Sequence, residues 1–475
     1  MTNKPYTRNP YTSPEYTRTE YSSGDYAQSG FSGVNYNENE FDCGDEIKDS
    51  LLGKINRKDA VVAVIGLGYV GLPLVVHFAR SGFATLGVDI SEALIDQLRT
   101  GRSHVLDIAD TALNDAIASG LTFSADYAAL QTADCILIAV PTPLTKTKEP
   151  DISCITDALG KIIPFVRKGT LLILESTTWP GTTEELVAEQ IQTNTGLTVG
   201  TEVFIAFSPE RVDPGNQKWM LKNTPKVIGG VTPSCTEVAR ALYGRVIDRV
   251  HVVKSAREAE MVKLLENTFR AVNIGMANEF LLMCNRMNID VWSVIEAAST
   301  KPFGFMPFYP GPGIGGHCIP LDPTYLSWKA RTVHFYNRFI EIATDINGNM
   351  PRCVVRRLSN ILNKQEKCLK NRRIAILGVA YKKNVTDTRE SPGLEVMALL
   401  KAREALTCYM DPLIPSYENE ASIALDELGS MDAAILITDH DSFDYTAIAN
   451  TGVTILDCRN AFGKRGIENT NIQNL

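Results

Sequence analysis

"DAVVAVIGLGYVGLPLVVHFARSGFATLGVDI", residues 59–90, opens on an apolar, β-branched run and turns through Gly66, Gly68 and Gly71. A helical pattern follows, then a second apolar run that ends in Asp89, 18 residues after the last glycine. Strand, glycine-rich turn, helix, strand and terminal acid together form a dinucleotide-binding signature. The glycines permit the tight turn, bring backbone N–H groups to a pyrophosphate at the helix N-terminus, and let the helix pack closely on the strand. Asp89 is placed to accept the ribose hydroxyls, and an acid there repels a 2′-phosphate, so the expected cofactor is NAD rather than NADP. A lone GxGxxG carries little weight; the complete context carries the reading.

Outward from that unit, further β-branched strands are expected at 134–140, 171–174 and 203–207, separated by helical stretches, which predicts a parallel sheet wound with helices. Residues 255–300 and 328–363 carry helical patterning without strands. From "RRIAILGVAYKKN" onward, strands at 373–378, 406–409, 433–437 and 453–456 alternate with helices again. The fold class expected is α/β: two Rossmann-like, doubly wound domains joined by a central helical region. The boundaries read as a tail over 1–50, an NAD-binding domain over 51–250, a helical connector with the cysteine loop over 251–365, and a second Rossmann-like domain over 366–475, to which the family resemblance given below assigns UDP binding.

The tail places an aromatic residue at every fifth position: Tyr6, Tyr11, Tyr16, Tyr21, Tyr26, Phe31, Tyr36 and Phe41. A period of five matches neither strand nor helix, and the polar spacers build no core, so a disordered segment is expected that the chemistry does not need. The chain has 475 residues, 44% of them hydrophobic, which is enough for two or three cores. A net charge of −8 disfavours nucleic acid or an acidic membrane as partner. Ten scattered cysteines without a CxxC pair, and no signal-peptide pattern, place reduced thiols in a cytoplasm. No apolar run is long enough for a membrane helix, and no metal site is expected.

Two segments invite chemistry. "YPGPGIGGHCIPLDP", residues 309–323, sets Cys318 in a backbone of glycine and proline, a loop shaped around something bound. The alternative is a buried, inert cysteine in a structural turn. "EAEMVKLLENTFRAVNIGMANEF" is helical and places Lys263 and Asn267 one turn apart on one face, a cation and an amide suited to a developing oxyanion. A solvated i,i+4 polar pair is the alternative there.

With those residues in view, the order of motifs resembles the UDP-glucose/GDP-mannose dehydrogenase family of nucleotide-sugar 6-dehydrogenases. The motifs are the Gly66 turn, "VPTPL" at 140–144, "ESTTWPGTT" at 175–183, "FSPERVDPGN" at 207–216, "NTPKVIGG" at 223–230, the Lys263 helix, the Cys318 loop and "GVAYKKNVTDTRESP" at 378–392. The resemblance spans about residues 60–465, and it looks most like the branch acting on UDP-N-acetylhexosamines, with UDP-N-acetylglucosamine the first expectation. It implies a four-electron oxidation of the sugar 6-hydroxyl to a carboxylate by two NAD⁺, through a thiohemiacetal and a thioester on Cys318.

Carried over by position, the resemblance implies that Lys263 and Asn267 stabilise oxyanions and that Asp322 positions or activates water, with Glu210 and Thr178 as further catalytic positions. Around NAD it adds Tyr69, Val70, Pro141, Thr142 and Thr177, and Arg389 from the second α/β domain. Substrate contacts fall on Glu210, Arg211, Lys263, Asn267, Tyr309, Gly313, Gly315, Tyr381 and Lys382. Two positions depart from the family pattern: Leu321 where many members have lysine, and Asn384 where aspartate is common. UDP-N-acetylmannosamine, UDP-N-acetylgalactosamine and UDP-glucose are alternative substrates, because pocket shape rather than a motif separates them. A non-catalytic sugar-nucleotide sensor is disfavoured by the complete set of Cys318, Lys263, Asn267 and Asp322. A homodimer through the central helices is also implied; an apolar stripe of Met261, Leu264, Leu265, Phe269, Val272 and Met276 suits that role or plain core packing.

Overall fold

A computed structural model describes the chain from Cys43 to Leu475, except Leu106, Lys146, Lys148, Pro214, Gln217, His317 and Cys318. The aromatic repeat at residues 6–41 lies outside the described residues. The expected start of folded sequence near residue 51 is corrected: a helix already runs over Cys43–Arg57 and buries Leu51 and Ile55. Its polar sequence, CGDEIKDSLLGKINR, hides it from a search for apolar periodicity. Lys54 and Arg167 both reach Asp134 at 2.8 Å, which ties this helix to the foot of the first sheet.

Eight strands form that sheet: β1 Val61–Ile65, β2 Ala84–Val88, β3 Leu121–Ser124, β4 Cys135–Ile138, β5 Thr170–Leu174, β6 Val203–Phe207, β7 Lys226–Gly230 and β8 Val250–Val252. Their order is β3-β2-β1-β4-β5-β6-β7-β8. The first six are parallel in the dinucleotide-binding order 3-2-1-4-5-6, and β7 joins antiparallel to β6. Alternate residues of each strand feed two cores: Val62, Val64, Leu137 and Phe204 on one face, Ala63, Ile65, Ile138 and Phe207 on the other. Burial on both faces makes β1, β4, β5 and β6 continuous apolar runs, which is why they are readable in the sequence, whereas β3 and β8 are partly exposed and were not read.

Helices Ala256–Met287 and Arg338–Lys364 cross at Gly275, where an added Cβ would stand 3.2 Å from the Ala343 backbone. The second sheet contains β9 Arg373–Leu377, β10 Leu406–Met410, β13 Ala433–Leu436, β14 Thr454–Asp457 and β15 Ile472–Asn474; a two-residue hairpin, β11 Ser416–Tyr417 with β12 Glu420–Ala421, stands apart. Its order, β10-β9-β13-β14-β15, is parallel throughout, with a reversal between β9 and β13. The chain is α/β with two Rossmann-like sheets, and in sheets of this kind ligands bind at the switch point.

Candidate active site

The switch point of the first sheet lies between β1 and β4. Gly66 has φ 86°, and a Cβ there would stand 2.7 Å from Ala139 O; a Cβ on Gly71 would overlap Gly66 O. Gly68 has open space around it. Two glycines thus let the turn close and the helix pack, while Gly68 leaves the approach clear where a pyrophosphate meets the N-terminus of helix Gly71–Arg80. Asp89 ends the next strand, its carboxylate accepting from Leu67 N at 2.9 Å and Ser91 N at 3.0 Å. Val70, Pro141 and Thr142 flank the same mouth, where the Tyr325 hydroxyl donates to Thr142 O at 2.9 Å. The residues present fit an NAD molecule.

The second α/β domain reaches that mouth. The Arg389 guanidinium lies 5.2 Å from the Tyr69 ring centroid and is held bidentately by Asp387. Tyr69 and Arg389, both expected at the cofactor, come together from opposite domains. Lys382 Nζ bonds Asp213 Oδ1 at 2.5 Å, a second crossing between the domains.

On helix Ala256–Met287, Lys263 is buried and makes no hydrogen bond or ion pair among the described residues. Asn267, one turn on, donates from Nδ2 to Asp322 Oδ2 at 2.5 Å. Asp322 starts helix Asp322–Thr332. Burial raises its carboxyl to about 6, while Lys263 and Asn267 pull the other way. A buried cation, an amide and a carboxyl titrating near neutrality therefore meet at one point. Cys318, four positions before Asp322, lies outside the described residues.

Glu210 follows β6 and is held by donors: its Oε1 accepts from Arg211 N and Val212 N at 2.7 Å each, and its Oε2 faces Lys226 Nζ at 3.4 Å. Burial acts to raise its carboxyl, but Lys226, the two N–H groups and Lys263 outweigh it and hold the group below the usual range.

The glycine loop before Cys318 approaches protein. A Cβ on Gly311 would meet Arg459 Nη1 at 2.5 Å, one on Gly315 would meet Glu390 O at 2.6 Å, and one on Gly316 the Tyr381 ring at 2.6 Å. Gly316 N also donates to Arg389 O at 3.0 Å, and Gly313 takes φ 134°. The bare backbone thus admits the second domain as well as any ligand. Gly311 N donates at 2.8 Å to Asn278, itself bonded to Asn347, so Asn278 anchors the loop. Tyr309 stacks on Trp292 at 6.1 Å under Lys464 Nζ.

Other expected residues are engaged internally. Thr178 is buried with its hydroxyl 2.5 Å from that of Thr182, and Thr177 beside it is half-buried. The Arg211 guanidinium is bound to Glu266 and to Pro225 O. The sequence reading missed Lys226, Glu175, Tyr243 and Arg459; the buried charge of Lys226 inside an apolar strand was the available signal for the first.

Three models of one family match in succession: its NAD binding domain over residues 60–247, its central domain over 257–349 and its UDP binding domain over 375–464. The chain is similar to the UDP-N-acetyl-D-mannosamine dehydrogenase of Escherichia coli (strain K12), 35% identical over 81% of this chain and 94% of that one. It is also similar to the UDP-N-acetyl-D-glucosamine 6-dehydrogenase of Pseudomonas aeruginosa, 33% identical over 81% of this chain and 92% of that one. Among solved structures it resembles the UDP-D-ManNAc dehydrogenase of Pyrococcus horikoshii, with TM-score 0.79 and 34% identity, covering 84% of this chain and 96% of that one. Fold, cofactor mouth and relatives define the class as an NAD-dependent nucleotide-sugar dehydrogenase. The chain belongs to the UDP-glucose/GDP-mannose dehydrogenase family.

Proposed function

We propose that this protein oxidises the 6-hydroxyl of a UDP-N-acetylhexosamine to the carboxylate, consuming two NAD⁺ and one water per sugar. The observation that carries the reading is the meeting of buried Lys263, Asn267 and Asp322 where the glycine loop enters its helix, beside a mouth shaped for NAD. NAD supplies the hydride acceptor. Lys263 and Asn267 offer a positive charge and an N–H to each oxyanion as it develops. Asp322, with a carboxyl near 6, is poised to take a proton from water at neutral pH. Cys318 is the nucleophile of this reading, adding to the aldehyde and leaving when water cleaves the thioester. Tyr309, Gly313, Gly315, Tyr381 and Lys382 line the sugar-nucleotide side, and Arg389 closes over the cofactor.

The sequence motifs favour the UDP-N-acetylhexosamine branch, and within it UDP-N-acetylglucosamine is the first reading. Its 2-epimer is the second reading, supported by the similarity to the UDP-N-acetylmannosamine dehydrogenases of Escherichia coli and Pyrococcus horikoshii. The product, a sugar-nucleotide uronic acid, suits polysaccharide or glycan synthesis in the cytoplasm. Two copies pair through the central helices. The test is NADH release from a panel of UDP-N-acetylglucosamine, UDP-N-acetylmannosamine, UDP-N-acetylgalactosamine and UDP-glucose. Two NADH per sugar with one N-acetylhexosamine strongly preferred is expected; one NADH per sugar, or equal rates on all four, overturns the reading.

A further inference from the structure

Behind Glu210 lies a chain of buried polar side chains that the reaction above does not use. Lys226, the first residue of β7, is 2% exposed. Its Nζ is 2.7 Å from Glu175 Oε2 and 3.4 Å from Glu210 Oε2. Glu175, fully buried beyond the end of β5, also accepts from the hydroxyl of Tyr243, and the Tyr243 ring centroid lies 5.3 Å from Lys226 Nζ. An ammonium this deep persists only when carboxylates and further hydrogen bonds compensate its lost hydration. Here one carboxylate, Glu175, faces inward with no route to the site. The other, Glu210, stands at the wall.

Each oxygen of Glu210 is committed. Oε1 takes two backbone N–H groups, and Oε2 takes the ammonium. Each of these hydrogen-bond partners among the described residues is a donor, an arrangement that suits the anion over the carboxylic acid. The charged and titratable groups coupled to Glu210 are Lys226, Glu175 and Tyr243 behind it and Lys263 from the long helix. The nearby Arg211 guanidinium is taken by Glu266. Asp322 differs: among the described residues one donor, Asn267, hydrogen-bonds it, and a single donor does not lock it in one protonation state.

We propose that Lys226 is a positioning residue that, braced by Glu175 and Tyr243, fixes Glu210 as a permanent anion at the wall of the site. Glu210 then serves as a fixed charge opposite Lys263, and proton exchange with water falls to Asp322. The inference rests on the reaction read above for its role, but the state of Glu210 is measurable without substrate.

The full-length protein is labelled at glutamate carboxyl carbons, the Glu210 resonance is assigned by Glu210→Gln, and its shift is followed from pH 5 to 9. In the parent protein no titration of Glu210 is expected in this range. In Lys226→Met with Glu175→Gln, which removes the cation and its inner partner together, a midpoint should enter the range, at least one pH unit above its parent position. Lys226→Arg should keep the parent behaviour. Where the Met variant does not fold, Lys226→Gln with Glu175→Gln, whose amides can bond each other and Tyr243, replaces it with the same expectation. A Glu210 midpoint near 7 in the parent, or one unmoved by loss of Lys226, overturns the proposal. Turnover reports separately. If the parent oxidises none of the UDP-sugars, the reading of the reaction fails while the carboxyl titration still decides Lys226. In an active parent, the double variant should lose at least tenfold in kcat with KM changed less than threefold; an unchanged kcat overturns the positioning role.

Discussion

Buried Asp322 and part-buried Glu210 both lie within the field of Lys263, yet their surroundings push them apart. That divergence separates a group able to exchange a proton near neutrality from one held as an anion. A consequence for stability follows with a definite sign. Asp322 titrates at about 6 in the folded chain against an ordinary 3.8, so between these values the native state holds more protons than the unfolded state. Stability therefore falls as pH rises through that window, by about 3 kcal/mol in all. In Asp322→Asn this fall should vanish, and turnover at pH 7 should drop roughly a hundredfold or more; melting temperatures and initial rates measured from pH 4 to 8 check both, and a parent-like pH slope in the variant would count against the assignment. Asn384 shows what a family pattern leaves unread. Its Nδ2 donates to Asp441 at 2.7 Å while its Oδ1 accepts from Asp441 N at 3.0 Å, at φ 61°. An aspartate there would lose the donor and set a carboxylate against a carboxylate, so the amide is the local solution. The glycines at 66, 68 and 71 were legible because their reasons are local. Lys226 was not, because its partner Glu175 stands 51 positions away and only the sheet brings them together.

At the scale of elements, the strands buried on both faces were legible as apolar runs. The helix Cys43–Arg57 was not, because it is polar on most sides and continues from a polar tail. Also unread was the antiparallel strand β7, which turns the sheet so that Lys226 points beneath Glu210. The start of helix Ala256–Met287 has its own anchor. Glu260, fully buried, accepts from Gly181 N at 2.5 Å and from Thr183 N and Oγ1 at 2.8 and 2.7 Å, which fastens the helix to the loop after β5. Burial raises its carboxyl to about 7 while those three donors pull down. Since donors meet both oxygens, Glu260→Gln would turn an NH₂ against an N–H on either orientation. A loss of about 2 kcal/mol is expected from denaturant unfolding. An unchanged midpoint would mean the loop is held by other contacts. Lys263 lies one turn along from Glu260, so the same variant should raise KM for the sugar nucleotide more than a surface substitution does.

Across the described chain, the two α/β domains meet at Tyr69 with Arg389 and at Asp213 with Lys382, and both pairs border the candidate site. Residues expected at the cofactor and at the substrate are thus brought together from both domains. The central helices also leave an apolar row uncovered. Along Ala256–Met287, Met261, Leu265, Phe269, Met276, Phe280, Met283 and Met287 are each more than two-fifths exposed, while Leu264 turns into the core. The expected stripe thus divides: Leu264 packs inside, Val272 is half-buried, and Met261, Leu265, Phe269 and Met276 lie exposed, a row that Phe280, Met283 and Met287 extend. A contiguous apolar surface of this length marks an interaction site. Its placement along one straight helix suits a two-fold pairing in which the same residues meet from both copies. Leu265→Asp with Phe280→Asp would put charge into the centre of that contact, and no buried partner inside the chain is disturbed because both side chains are exposed. The parent is expected to sediment as a dimer at micromolar concentration and the double variant as a monomer with an unchanged far-ultraviolet spectrum. Removal of residues 1–41, which precede the first described helix, should leave the dimer and its turnover as they are. A parent that sediments as a monomer, or a double variant that still pairs, would move the interface away from this helix.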